Sequence, residues 1–134
     1  MIRTFDDVLA TSLRTRKPQR LLLLFVKAAP SAPLAQYDLA GAQLEPVLAL
    51  NKVVSGSLRF PDLVEEADRQ RRDWDFVLIA AVSKRDGGLP SSQEAHQHLQ
   101  ERAEQALASG DFSRFLVFDR QEQPLWPAPE RQLH

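Results

Sequence analysis

The chain has no cysteine. That absence removes a whole chemistry: no thiolate nucleophile, zinc knuckle, iron–sulfur cluster or thiyl radical can be built here. Secreted domains of this size are commonly stapled by disulfides, so a cysteine-free one points to a reducing compartment. The expected location is the cytoplasm. Histidine is scarce as well. His96 and His98 stand two residues apart, which on a helix sends them to different sides, and His134 stands alone in the tail. No metal and no other cofactor is expected.

An excess of one charge is also missing. Lys and Arg number 17 against 18 Asp and Glu, a formal net charge of −1, so no global field steers the chain to nucleic acid or to an acidic membrane. The strongly apolar stretches, Leu21 to Val26 and Phe76 to Val82, fall far short of the roughly 20 residues a membrane helix needs. The opening residues, Met1 to Asp7, carry early acids and no apolar run, unlike a signal peptide. Neither nucleic acid nor a membrane is an expected partner; a protein is. The glycine motifs of phosphate-binding loops and dinucleotide sites are absent, as is Gly-x-Ser-x-Gly.

What is present describes one domain, over residues 1–123, followed by a loose tail over 124–134. The length of 134 residues and the 43% hydrophobic content support a core of ordinary size. A first helix is expected from Phe5 to Arg14, capped by Thr4 with Asp7 at the capping-box position. Phe5, Val8, Leu9 and Leu13 form its apolar stripe. Arg20 to Ala28 reads as a strand that is apolar at every position from Leu21 to Val26, so both of its faces should be covered. Residues 29–42 form a long Pro-, Ala- and Ser-rich loop, with one helical turn near Leu34 to Leu39 and the length of a binding loop.

Leu44 to Val54 is a second strand, placed at an edge by Pro46, which cannot donate to a ladder. A helix follows from Pro61 to Arg72, with Glu65–Arg69 and Asp68–Arg72 at ion-pair spacing. Trp74 to Val82 is a strand apolar on both faces. Ser91 and Glu94 make a capping box for a helix to Ser109, with Ala95, Leu99, Ala103, Ala106 and Leu107 inward and Gly110 as the stop. Phe115 to Phe118 is the last strand. The expected fold class is α/β (α+β), in the order α-β-β-α-β-α-β. Helical crossovers imply parallel neighbours, and so a mixed four-stranded sheet with three helices packed on it.

The candidate ligand site lies beyond the third strand. Ser83, Lys84 and Arg85, with Ser91 and Ser92 at the next helix start, would offer cations and free backbone N–H groups to a phosphate or carboxylate. Asp119 and Arg120 leave the last strand and are expected beside this loop, Asp119 as a general base. The plainer reading is a polar turn, a helix cap and a surface ion pair. Two basic clusters, Arg14/Arg16/Lys17/Arg20 and Arg69/Arg71/Arg72, could meet phosphates but lack interleaved aromatics. Trp126, in Pro124-Leu125-Trp126-Pro127, is expected either to dock on the core or to engage a partner; docking is favoured, because a free indole exposes a large apolar area.

Five pieces carry a resemblance: Phe5-Asp6-Asp7; Pro18-Gln19-Arg20-Leu21-Leu22; Leu63-Val64-Glu65-Glu66-Ala67; Trp74-Asp75 with Ala80-Ala81-Val82-Ser83; and Phe118-Asp119-Arg120-Gln121. Scattered over most of the chain, they resemble a small bacterial family of about this length. Its function is not established, and some members are labelled "ribonucleotide reductase subunit alpha". Ribonucleotide reduction of that kind needs cysteines and a far larger catalytic barrel, so the label implies no such activity for this chain. The resemblance supplies no catalytic residue. The expected function is therefore a non-enzymatic accessory or protein-interaction module. The alternative is a small-anion or metabolite binder, or an enzyme, using Ser83 to Ser92 with Asp119 and Arg120.

Overall fold

The computed structural model describes residues 4–15, 17–28, 44–84, 86–109, 111–112 and 114–125. Three helices and a sheet follow the expected order: α1 (Phe5–Arg14), β1 (Arg20–Ala28), β2 (Leu44–Val53), α2 (Phe60–Gln70), β3 (Phe76–Val82), α3 (Ser92–Ser109) and β4 (Leu116–Asp119). A two-residue strand, β5 (Pro124–Leu125), follows and pairs with β4, so the expected loose tail begins no earlier than residue 126. The loop at 29–42, Gly110 and Trp126 lie outside the described residues. Among the described residues, no helix is long and apolar enough to cross a membrane.

The sheet runs β2-β1-β3-β4-β5, and every neighbouring pair is antiparallel. The parallel neighbours expected from the two crossovers do not form. β2 and β3 point the same way, but β1 is inserted between them. β4 returns beside β3 in the opposite direction, because α3 crosses the sheet instead of running back along β3. The helix starts where Ser92 meets Asn51 of β2 and ends near the entry to β4, a span of about 27 Å for its length.

β1 is central, and its unbroken apolar run has the expected cause. Leu22, Leu24 and Val26 join Leu78, Ala80 and Val82 under α3, which contributes Ala95, Leu99, Ala103 and Ala106. Leu21, Leu23 and Phe25 join Val77, Ile79 and Phe118 on the other face, under Phe5, Val8 and Leu9 of α1 and Phe60, Leu63 and Ala67 of α2. The domain is therefore three layers with two cores. Leu13 is not part of the α1 stripe: it is 51% exposed. Trp74 is buried but precedes the strand. The N–H of Asp75 bonds to the Val26 carbonyl at 2.7 Å, and the indole lies with the α1/α2 core while Phe76 packs on the α3 side.

β2 is the edge that Pro46 called for. The register slips between Phe25, opposite Leu48, and Val26, opposite Pro46, which leaves Val47 as a bulge. The N–H of Val54 donates to the Gln19 carbonyl at 2.9 Å. Continuing that register, Lys52, Leu50 and Leu48 turn their peptide groups to β1, while Ala49, Asn51 and Val53 turn theirs outward.

Candidate functional site

The loop after β3 leaves the sheet at the Arg20 end, because Val82 lies opposite Arg20. Its described residues bond to one another. The Lys84 N–H donates to the Gly88 carbonyl at 3.0 Å, the Gly87 N–H to the Lys84 carbonyl at 2.9 Å, and the Gly88 N–H to the Asp86 carboxylate at 2.8 Å. Gly87 has φ 85°, which a side chain would resist. Ser83 is half-buried and Lys84 exposed; Arg85 lies outside the described residues.

The start of α3 carries its own acceptors. The Glu94 N–H donates to Ser91 Oγ at 3.1 Å, and the Ser91 N–H donates to Glu94 Oε1 at 2.9 Å, the capping box read from the sequence. The Ser91 backbone N–H, the Ser91 hydroxyl and the Lys84 charge hold the Glu94 carboxyl below the usual carboxylate range. A fixed carboxylate therefore already sits where an anion was expected. Ser91→Ala should cost about 1 kcal/mol of stability, read as a lower denaturant midpoint with an unchanged slope. The Ser92 hydroxyl pairs with the Asn51 side chain at 3.1 Å. Arg20 completes this corner, donating from Nε to the Pro90 carbonyl at 2.6 Å and from Nη1 to Asn51 Oδ1 at 3.1 Å.

Asp119 and Arg120 lie at the opposite end. Asp119 faces Phe76, the first residue of β3, so the strand's length separates it from Ser83, about 20 Å at 3.3 Å per residue. The expected juxtaposition is overturned, and the cause is the antiparallel β3–β4 pairing. Asp119 is no free base: its Oδ1 accepts the N–H groups of Gln121 at 2.8 Å and Gln123 at 2.9 Å, shaping the turn into β5. Within that turn Glu122 adopts φ 64°, and its carboxylate accepts the Phe5 N–H at 2.7 Å, tying the turn to the start of α1.

Arg120 is the hub of a knot. Its Nη2 donates to both oxygens of Asp68, at 2.9 and 2.7 Å, and its Nη1 to the Trp74 carbonyl at 3.2 Å. The guanidinium lies 4.2 Å from the centre of the Trp74 ring. Trp74 Nε1 donates to the same Asp68 carboxylate at 3.0 Å. The expected Asp68–Arg72 pair thus gives way to Asp68–Arg120, while Glu65–Arg69 forms as expected at 3.0 Å. Arg71 is held by Asp73 at 2.7 Å and Arg20 by the Pro90 carbonyl and Asn51, so part of each basic cluster is committed within the fold; Arg16 lies outside the described residues. His96 and His98 are exposed on α3, and the described residues hold no group of three potential metal ligands.

Two further surface features stand out among the described residues. One is the outer side of β2, the edge expected from Pro46, where Val47 to Lys52 are all half-exposed and Val53 is exposed. The other is a cleft of about 180 Å³ beside the C-terminal half of α3. Arg102, Gln105, Ala106 and Ser109 line one side, and Asp111, Arg114 and Phe115 close the other. The spacing of the helical four, at i, i+3, i+4 and i+7, is visible in the sequence as a stripe flanking the buried one. Only the return of the chain into β4 supplies the opposite wall. No family model matches the chain, and neither a curated protein nor a solved structure matches it.

Proposed function

We propose that this chain is a non-enzymatic, cytoplasmic protein-interaction module that takes an extended segment of a partner protein onto the outer side of β2, with which no strand pairs among the described residues. One observation carries the reading. β2 is a ten-residue outermost strand with half-exposed apolar side chains and outward peptide groups at Ala49, Asn51 and Val53. An added strand gains main-chain hydrogen bonds there, and alternate side chains set its specificity. Pro46 and the bulge at Val47 blunt the start of the edge, which confines pairing to the stretch beyond them. Of the residues that an enzyme or anion binder would have used, Ser83 and Lys84 lie at one end of β3 and Asp119 and Arg120 at the other, and Ser91, Asp119 and Arg120 are engaged in bonds within the fold.

The test uses a photo-crosslinking side chain at Val53, with Glu101 on the exposed side of α3 as control, in cells that make the protein. A discrete adduct from Val53 alone is expected. The protein identified in it should bind the purified chain and lose at least about ten-fold in affinity to Ala49→Pro, which removes an outward N–H without touching the β1 ladder. Equal adducts from Glu101, or unchanged binding to Ala49→Pro with its fold intact, would overturn the reading.

A further inference from the structure

We infer that the cleft beside the C-terminal half of α3 binds a small organic carboxylate, its charge held between Arg102 and Arg114 and its apolar body resting on Phe115 and Ala106. This site is separate from the β2 edge and does not depend on that reading. Arg20, Arg69, Arg71 and Arg120 are all engaged within the fold. Arg102 and Arg114 form no ion pair among the described residues, yet both line one cleft. A guanidinium matches the planar fork of a carboxylate and is more weakly hydrated than an ammonium, so two of them over an apolar floor favour a planar anion with a hydrophobic portion.

The floor is the buried pair Phe115 and Ala106. Ser109 is committed: its hydroxyl donates to the Gln105 carbonyl at 2.8 Å and accepts the Asp111 N–H at 3.1 Å, which sets the shape of the rim. Asp111 and the carbonyl end of α3 bring negative charge to that rim, which selects a singly charged ligand over a phosphate dianion. The cleft is smaller than the roughly 300–1,000 Å³ of pockets for drug-sized molecules, so the ligand is small.

Titration of the whole chain, followed by backbone amide NMR, tests this with four probes: phenylacetate, phenylacetamide, acetate and inorganic phosphate. Phenylacetate should saturate in the millimolar range or below, with shifts confined to residues 102–115. Acetate should bind at least about five-fold more weakly for want of an apolar body, and the neutral amide and phosphate should not saturate. Arg102→Gln and Arg114→Gln should each weaken phenylacetate about ten-fold while leaving the amide fingerprint elsewhere unchanged, and Glu101→Gln should have no effect. Equal binding of acetate or phosphate, shifts shared with Arg14, Lys17 and Lys84, or unchanged affinity in both folded arginine variants would overturn the proposal.

Discussion

Ile79→Ala should lower the free energy of unfolding by about 2–5 kcal/mol, and Leu78→Ala, one residue earlier, should cost a similar amount. Adjacent residues on a strand point to opposite faces, so in a sheet with one wet face one of the two would be nearly silent, within about 0.5 kcal/mol. Here both are fully buried. Ile79 lies among Leu21, Leu23 and Phe25 under α1 and α2, and Leu78 among Leu22, Leu24 and Val26 under α3. Each truncation opens a cavity in a different core. Equilibrium denaturation of the two single variants checks this, and a midpoint unchanged by either would refute the three-layer arrangement.

Asp68→Ala should be the most costly polar substitution among the described residues, at about 2 kcal/mol near neutral pH. It strips acceptors from Arg120 and from the indole N–H of Trp74, a residue only 1% exposed. An unpaired donor beside a buried ring costs more than the mean value of a hydrogen bond. Asp68→Asn keeps the shape and isolates the charge. Burial alone would push the Asp68 carboxyl up. The Arg120 and Trp74 hydrogen bonds and the charges of Arg120 and Arg72 outweigh that and hold it below the ordinary carboxylate range. The folded state therefore binds this proton less readily than the unfolded chain. Its stabilisation is complete above the unfolded pKa of about 4 and drains away as the pH falls from there through the folded value. Denaturant midpoints from pH 7 to pH 2 should converge for wild type and Asp68→Asn at the acid end. A constant gap across that range would show that the ion pair contributes nothing through its charge.

The local chemistry of the elements was legible in the residues alone. Thr4 with Asp7, and Ser91 with Glu94, place two helix starts because capping is settled by residues three apart. The apolar run Leu21–Val26 announces a strand covered on both faces, since no alternation is left to mark a wet one. Pro46 announces an edge because it lacks a donor, and β2 is one.

Partnership across the fold was decided only by tertiary structure. A helix between two strands says that they are joined, not that they are neighbours. The insertion of β1 between β2 and β3, and the diagonal path of α3, turned expected parallel pairs into antiparallel ones. That one change sent Asp119 and Arg120 to the far end from Ser83 and Lys84. It gave Arg120 to Asp68 in place of Arg72, and it brought Arg114 to the same cleft as Arg102. Caps and periodicities depend on residues within one turn or one strand, so the sequence by itself determined the elements and which of their faces are apolar. Strand direction, ion-pair choice and cleft walls depend on which distant surfaces bury each other, and only the packed chain decides that.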